Sequence, residues 1–146
     1  MEYLIETASP QETESVLSFL AACDLPNQDL TAAHLADFLL LKDGDQLLGC
    51  AGLEIYGQVA LLRSVAVDES HRGQGLGKRL LKRTESLALN KGVQSLYLLT
   101  TSAEQYFAAH GYIKIDRYDA PDAIRKTSEF RSMCPDSAIC MSKELG

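Results

Sequence analysis

The chain has no tryptophan, only four prolines and only four cysteines in 146 residues. Its ten glycines follow no period, which excludes a collagen-like or low-complexity chain. Cys23, Cys50, Cys134 and Cys140 form no CxxC pair, so neither a zinc ribbon nor a disulfide framework is written here, and thiols in a reducing compartment are expected. His34, His71 and His110 lie far apart without metal-ligand spacing, so no metal is expected. No apolar run approaches the ~20 residues that span a bilayer. The opening stretch, Met1 to Glu6, lacks the basic and apolar regions of a signal peptide, and the expected location is the cytoplasm, away from membranes. Basic charge is also in deficit, with 14 Lys and Arg against 20 Asp and Glu, so most of the surface repels a nucleic-acid backbone.

What is present is a globular balance: 46% hydrophobic and 23% charged residues, enough for a core in one domain spanning 1–146. Charge is unevenly divided. The stretch from His71 to Thr84 holds Arg72, Lys78, Arg79, Lys82 and Arg83 and no acid. Such a patch on an acidic protein suits a compact polyanion, such as a phosphate-bearing small molecule, better than a long one.

Periodicity and turn residues set out the elements. Tyr3 to Thr7 reads as a strand, and Ser9-Pro10-Gln11-Glu12 as an N-cap, a proline at the first helical position and a capping-box glutamate. The helix that follows carries the stripe Val16, Leu17, Phe19, Leu20 and Cys23, with a second short helix at Thr31 to Asp37. Phe38 to Lys42 and Leu47 to Ile55 form a hairpin around Asp43-Gly44-Asp45-Gln46, and Gln58 to Val67 is the strongest strand. A central helix starts near Gln74 and stops at Asn90-Lys91-Gly92. Then come a strand at Gln94 to Thr101, a helix at Ala103 to His110, a strand at Tyr112 to Arg117 and a final strand at Ser137 to Lys143. Hairpins mixed with helical crossovers predict a mixed sheet in an α/β or α+β fold. Asp119 to Asp136 has no clear period; its Arg125, Thr127, Glu129, Phe130 and Arg131 suit a substrate lid, an ordinary covering loop or a homodimer contact equally.

Between the strongest strand and the central helix lies Arg72-Gly73-Gln74-Gly75-Leu76-Gly77. Alternating glycines permit positive φ and close ligand approach, and a helix start offers unpaired N–H groups at the positive dipole end. The spacing matches neither GxxxxGK[ST] nor GxGxxG. Two readings stay open on spacing alone, an anion cradle and a turn tightened for strand–helix packing.

The stretch Val65-Ala66-Val67-Asp68-Glu69-Ser70-His71-Arg72-Gly73-Gln74-Gly75-Leu76-Gly77 resembles the acetyl-CoA motif of the GCN5-related N-acetyltransferase (GNAT) superfamily, Arg/Gln-x-x-Gly-x-Gly/Ala after an apolar strand. Ala103-x-x-x-Phe107-x-x-x-Gly111-Tyr112 resembles a later segment of the same family. Leu62-Arg63-Ser64, Leu98 to Thr101, Ala120-Pro121 and the stretch from Glu129 to Pro135 resemble a subgroup associated with bacterial arsenic-resistance genes. The resemblance implies a GNAT-like, mixed and mostly antiparallel sheet of six to seven strands, splayed at the centre and flanked by about four helices. It implies acetyl-CoA as cosubstrate: Val65, Ala66 and Val67 would pair with the pantetheine arm, and Arg72, Gly73, Gln74, Gly75, Leu76, Gly77 and Lys78 would hold the pyrophosphate. Thr100 and Phe107 stand where the family often has an asparagine and a tyrosine that protonates the leaving thiolate. Phenylalanine has no proton to donate, so Tyr106 is the substitute candidate.

The residues offer two further candidates. Glu54 is placed to accept the ammonium proton, or else to form a cross-strand charge pair with Arg63 on the sheet surface. Arg63, read on the same strand parity as Val65 and Val67, is a candidate anchor for an acidic group on the amine, or else a brace for the sheet. The resulting expectation is an N-acetyltransferase acting on a small primary amine by direct attack in a ternary complex. The alternative is a noncatalytic acyl-CoA-binding regulatory module, and protein acetylation is a weaker third reading.

Overall fold

The computed structural model describes residues 3–146. Its strands are β1 (Leu4–Thr7), β2 (Phe38–Asp43), β3 (Gln46–Tyr56), β4 (Val59–Val67), β5 (Ser95–Thr100), β6 (Ile113–Ile115) and β7 (Ile139–Glu144). The helices are α1 (Thr13–Ala22), α2 (Leu76–Asn90), α3 (Glu104–Ala109) and the single turn α4 (Asp122–Arg125). The strands form one sheet in the order β1-β2-β3-β4-β5-β7-β6. The pairs β1–β2, β2–β3, β5–β7 and β6–β7 are antiparallel, while β4 and β5 run parallel. This is the mixed sheet expected from the element order and the mostly antiparallel α/β architecture that the family resemblance implies. No helix among the described residues is long and apolar enough to cross a membrane.

The chain divides into two compact units, Met1–Glu54 with Arg63–Leu87, and Ile55–Leu62 with Ala88–Gly146. In the first, the entry to α1 is fixed by Glu12, whose carboxylate accepts from the Ser9 amide at 3.0 Å and from its hydroxyl at 3.1 Å. Glu12 also pairs with Lys42 at the end of β2, so the capping glutamate ties the helix start to the sheet. Alternation along β2 feeds two apolar clusters. Phe38 and Leu40 join Val16, Leu20, Leu35 and Cys50, whereas Leu39 and Leu41 join Leu48, Ala51, Leu76 and Leu80. Gly52 is required by packing, since a Cβ there would meet the Phe38 ring at 2.2 Å. The short helix expected at Thr31 to Asp37 is a 3-10 helix over Ala32–Asp37, capped by the Thr31 amide donating to His34 Nδ1 at 3.1 Å.

In the second unit, Gly57 reverses the chain at φ +69° into β4, and Val59, Ala60 and Leu61 pair with Ser95, Leu96 and Tyr97 of β5. Two expectations need correcting. The strand expected at Tyr112 to Arg117 shrinks to Ile113–Ile115, because Tyr112 turns inward as a buried residue against Phe107 and the chain enters a 3-10 turn at Arg117–Asp119. The segment from Asp119 to Asp136, without a period in sequence, is not an open loop. It contains α4 and a π-helical turn at Glu129–Met133. Ala120, Ile124 and Phe130 pack with Leu61 and Cys140, and Arg117 donates to the carbonyls of Phe130 and Pro135 at 3.0 Å each. Thr127, Glu129 and Phe130 are therefore buried, and of the proposed lid contacts only Arg125 and Arg131 face solvent.

Candidate active site

Two features of the first unit carry the chemistry. The earlier part of the β4–α2 connection is a hydrogen-bonded knot: Asp68 Oδ2 accepts from the Ser70 hydroxyl and lies 2.9 Å from His71 Nδ1. Those two bonds hold the exposed Asp68 carboxyl below its ordinary range. Arg72 folds back, its Nε donating to the Val67 carbonyl at 3.0 Å. Beyond it, Gly73 and Gly75 take φ of +83° and +79°, conformations that side chains rarely adopt, and a Cβ at either would meet nothing within 4 Å. The loop is thus left-handed and open, and not a turn squeezed against the sheet, which removes the packing reading of these two glycines. α2 begins immediately after, with no acid in its first turn, Leu76 buried as the anchor and Lys78 and Arg79 exposed. The first N–H groups of the helix, its positive end and the exposed cations Lys78 and Arg79 make a donor set suited to a diphosphate.

The second feature surrounds Arg63. At Ser64 the backbone takes φ +59°, a left-handed residue in mid-strand. Such a residue re-aims the side chains on either side of it, so the assumed common parity of Arg63 with Val65 and Val67 is overturned. Val65 packs against the cluster of Leu76 and Leu80, while Arg63 reaches the loop after α1. Ser64 is held by its neighbours: Arg63 Nε donates to its hydroxyl at 3.2 Å and the Cys50 thiol to its carbonyl at 3.1 Å.

The Arg63 side chain is fully buried and fully engaged. It grips Asp29 with both nitrogens of its fork, Nη1 at 2.6 Å and Nη2 at 2.8 Å, and Nη1 also donates to Glu54 at 2.7 Å. Nη2 lies 3.4 Å from the Pro26 carbonyl. Burial pushes the Asp29 carboxyl up, but the hydrogen bonds and charge of Arg63 outweigh it and hold it below the usual range. Asp29, His34 and Glu54 each bring a ligand atom within 4.8 Å of the others. With His34 Nδ1 accepting from Thr31 and both carboxylates bonded to a guanidinium, a metal would have to displace existing partners. Sequence reasoning paired Glu54 with Arg63 correctly as neighbours; it missed Asp29 and Ser64. Asp29 sits in the irregular stretch Asn27-Gln28-Asp29, and a serine carries no signal for a left-handed residue.

In the second unit, the Thr100 hydroxyl accepts from the Ala103 amide at 2.9 Å and so shapes the turn into α3. Phe107 is buried between Tyr106, at 5.3 Å between ring centroids, and Tyr112, at 5.5 Å. Tyr106 is 39% exposed, stacks on His110 at 4.7 Å, and partial burial raises its hydroxyl pKa, keeping the proton on. The four cysteines are free thiols; burial pushes Cys140 up to about 11 and Cys50 further still.

The glycine loop thus opens α2 soon after the apolar strand β4. Residues 2–114 match the model of the acetyltransferase (GNAT) family, and the chain belongs to that family. It is 29% identical over 108 residues to an uncharacterised N-acetyltransferase of Chlorobaculum tepidum, covering 73% of this chain and 67% of that one. It is 35% identical over 102 residues to the amino-acid acetyltransferase of Ralstonia nicotianae, covering 66% of this chain and 22% of the relative. In fold it is similar to N-acetylglutamate synthase from Neisseria gonorrhoeae, solved with coenzyme A and N-acetyl-glutamate, at a TM-score of 0.83 and 19% identity over 100% of this chain and 36% of that one. The chain thus spans less than a quarter of the Ralstonia enzyme and about a third of the Neisseria synthase.

Proposed function

We propose that residues 1–146 act as one cytoplasmic acetyltransferase domain that moves the acetyl group of acetyl-CoA to the primary amine of a small molecule, by direct attack in a ternary complex. The observation that carries this reading is the open left-handed glycine pair at Gly73 and Gly75 leading into α2, inside the span matched by the family. The amides from Gly73 to Lys78 would hold the pyrophosphate, with Arg72 and Lys78 adding charge. The backbone of Val65, Ala66 and Val67 would pair with the pantetheine arm, and an amide there would stabilise the oxyanion formed when the amine attacks. The amine nitrogen bonds to the thioester carbonyl carbon, the C–S bond breaks with its electron pair on sulfur, and the ammonium proton passes to a base. Glu54 is the carboxylate proposed for that proton, taken directly or through water. The CoA thiolate is a good leaving group, so an acid is dispensable, and Tyr106 is the protonated hydroxyl whose removal tests that point.

Bound coenzyme A in the Neisseria synthase and the acetyltransferase names of the sequence relatives support the cosubstrate and the reaction class. We also place the chain in the subgroup associated with bacterial arsenic-resistance genes, a placement that names a genetic neighbourhood and no reaction. The buried Phe107 and the Thr100 hydroxyl tied to Ala103 favour a second reading, a noncatalytic acyl-CoA-binding module. A panel of amines and amino acids with thiol release as the readout, beside calorimetry of CoA binding, separates the two. Release with at least one amine establishes the enzyme, and binding without release from any amine establishes the module.

A further inference from the structure

An arginine on the strand that enters the glycine loop is the natural seat for a carboxylate on the amine substrate, through two parallel N–H bonds. In this chain that seat is taken. Asp29 supplies its own carboxylate to both fork nitrogens, at 2.6 and 2.8 Å, and the guanidinium side chain has no exposure left. Glu54 adds a second carboxylate at 2.7 Å. Two carboxylates against one guanidinium leave this group of side chains net negative, so a third carboxylate arriving with a substrate meets both steric exclusion and like-charge repulsion. An ammonium escapes the like-charge repulsion and is drawn to the carboxylates instead, and the slight exposure that remains in the group belongs to the oxygen-bearing side chains, 13% for Asp29 and 10% for Glu54.

We propose that Asp29 is a specificity-determining residue: its carboxylate occupies the anion seat of Arg63, so this enzyme takes small amines that carry no carboxylate at that position. The proposal rests on the acetyltransferase reading above and narrows its substrate class. His34 keeps the loop in place, its Nδ1 accepting from the Thr31 amide two residues after Asp29 and bonded to the Thr31 hydroxyl at 3.1 Å.

The test uses the full chain and pairs of amines matched in size, each an α-amino acid and its amide. The wild type is expected to favour the amide by at least tenfold in kcat/KM. Asp29→Ala, which vacates the seat, is expected to shrink that ratio at least tenfold by gaining on the acid, with CoA affinity within about twofold of wild type. A wild type that favours the acid, or a ratio unmoved in a folded Asp29→Ala protein, overturns the proposal. Should Asp29→Ala not fold, Asp29→Ser, whose side chain is too short to fill the seat, gives the same comparison. A second readout is independent of turnover: millimolar acetate should raise the melting temperature of Asp29→Ala by several degrees and leave the wild type unmoved. Absence of that rescue means that the seat does not accept an anion, and the proposal fails. If no amine is turned over while acetate still rescues, the acetyltransferase reading has failed and the occupied seat stands.

Discussion

The glycine loop and the Arg63 group, both in the first unit, use opposite physics. The loop is open, exposed and made of backbone: two left-handed glycines with nothing near the place of a Cβ, and a helix start free of acids. The Arg63 group is closed, buried and made of side chains, its one guanidinium shared between the Asp29 and Glu54 carboxylates. An open loop built on backbone donors is suited to receive a ligand with little rearrangement, whereas a closed ion-pair group holds its neighbours in place and admits an anion at Arg63 only when a carboxylate leaves. Substitutions should therefore damage ligand binding in the first region and stability in the second.

The largest effect is expected from Arg63→Met, which leaves the Asp29 and Glu54 carboxylates facing each other without their cation. Breaking a buried ion pair from one side typically costs ~3–5 kcal/mol, so denaturant unfolding should show a loss of that order. A loss below about 1 kcal/mol would mean that the group is no brace. Next comes Gly75→Val, which places a branched side chain at φ +79° on the loop proposed to hold the pyrophosphate. CoA affinity should fall at least tenfold, about 1.4 kcal/mol. The left-handed strain of ~1–2 kcal/mol keeps the melting temperature within several degrees. Wild-type affinity in a folded Gly75→Val protein would break the contrast between the two regions.

A smaller effect appears with pH. The Asp29 carboxyl is depressed in the folded state, so its contribution is present above the unfolded value of about 4 and drains away as pH falls through the folded value. Unfolding midpoints below about pH 4 should drop more steeply for the wild type than for Asp29→Asn, and parallel acid limbs would show that the pair carries no linkage. The smallest effect is expected at Ser64. Ser64→Gly relieves a left-handed residue but loses the hydroxyl that accepts from Arg63 Nε, two terms of ~1 kcal/mol each that nearly cancel. Ser64→Val, which loses the bond and keeps the strain, should be measurably less stable than Ser64→Gly in the same melting experiment.

The same contrast explains what the sequence made legible. The cradle is local: glycine spacing, a strand before and an apolar helical stripe after lie within one short stretch, and the structure keeps them together from Val65 to Leu80. The capping box at Ser9 and Glu12 and the helix stop at Gly92 were readable for the same reason, since each is settled by neighbouring residues. The Arg63–Asp29 contact spans 34 positions and depends on where an irregular loop returns, which no periodicity records. The assumed parity of Arg63 failed at a single left-handed serine, because alternation counts residues and cannot register a bulge. Asp119 to Asp136 failed differently: its α4 turn and π-helical turn are too short to show a period, and tertiary packing of Ile124 and Phe130 orders them.

The central claim, transfer of an acetyl group from acetyl-CoA to a small amine, is tested most directly by incubating the full chain with acetyl-CoA and the amine panel while following free thiol and the mass of the amine together. The account predicts equimolar thiol and singly acetylated amine, with Gly75→Val slowing both at low acetyl-CoA. Tight CoA binding with neither thiol release nor acetylated product from any amine would contradict it.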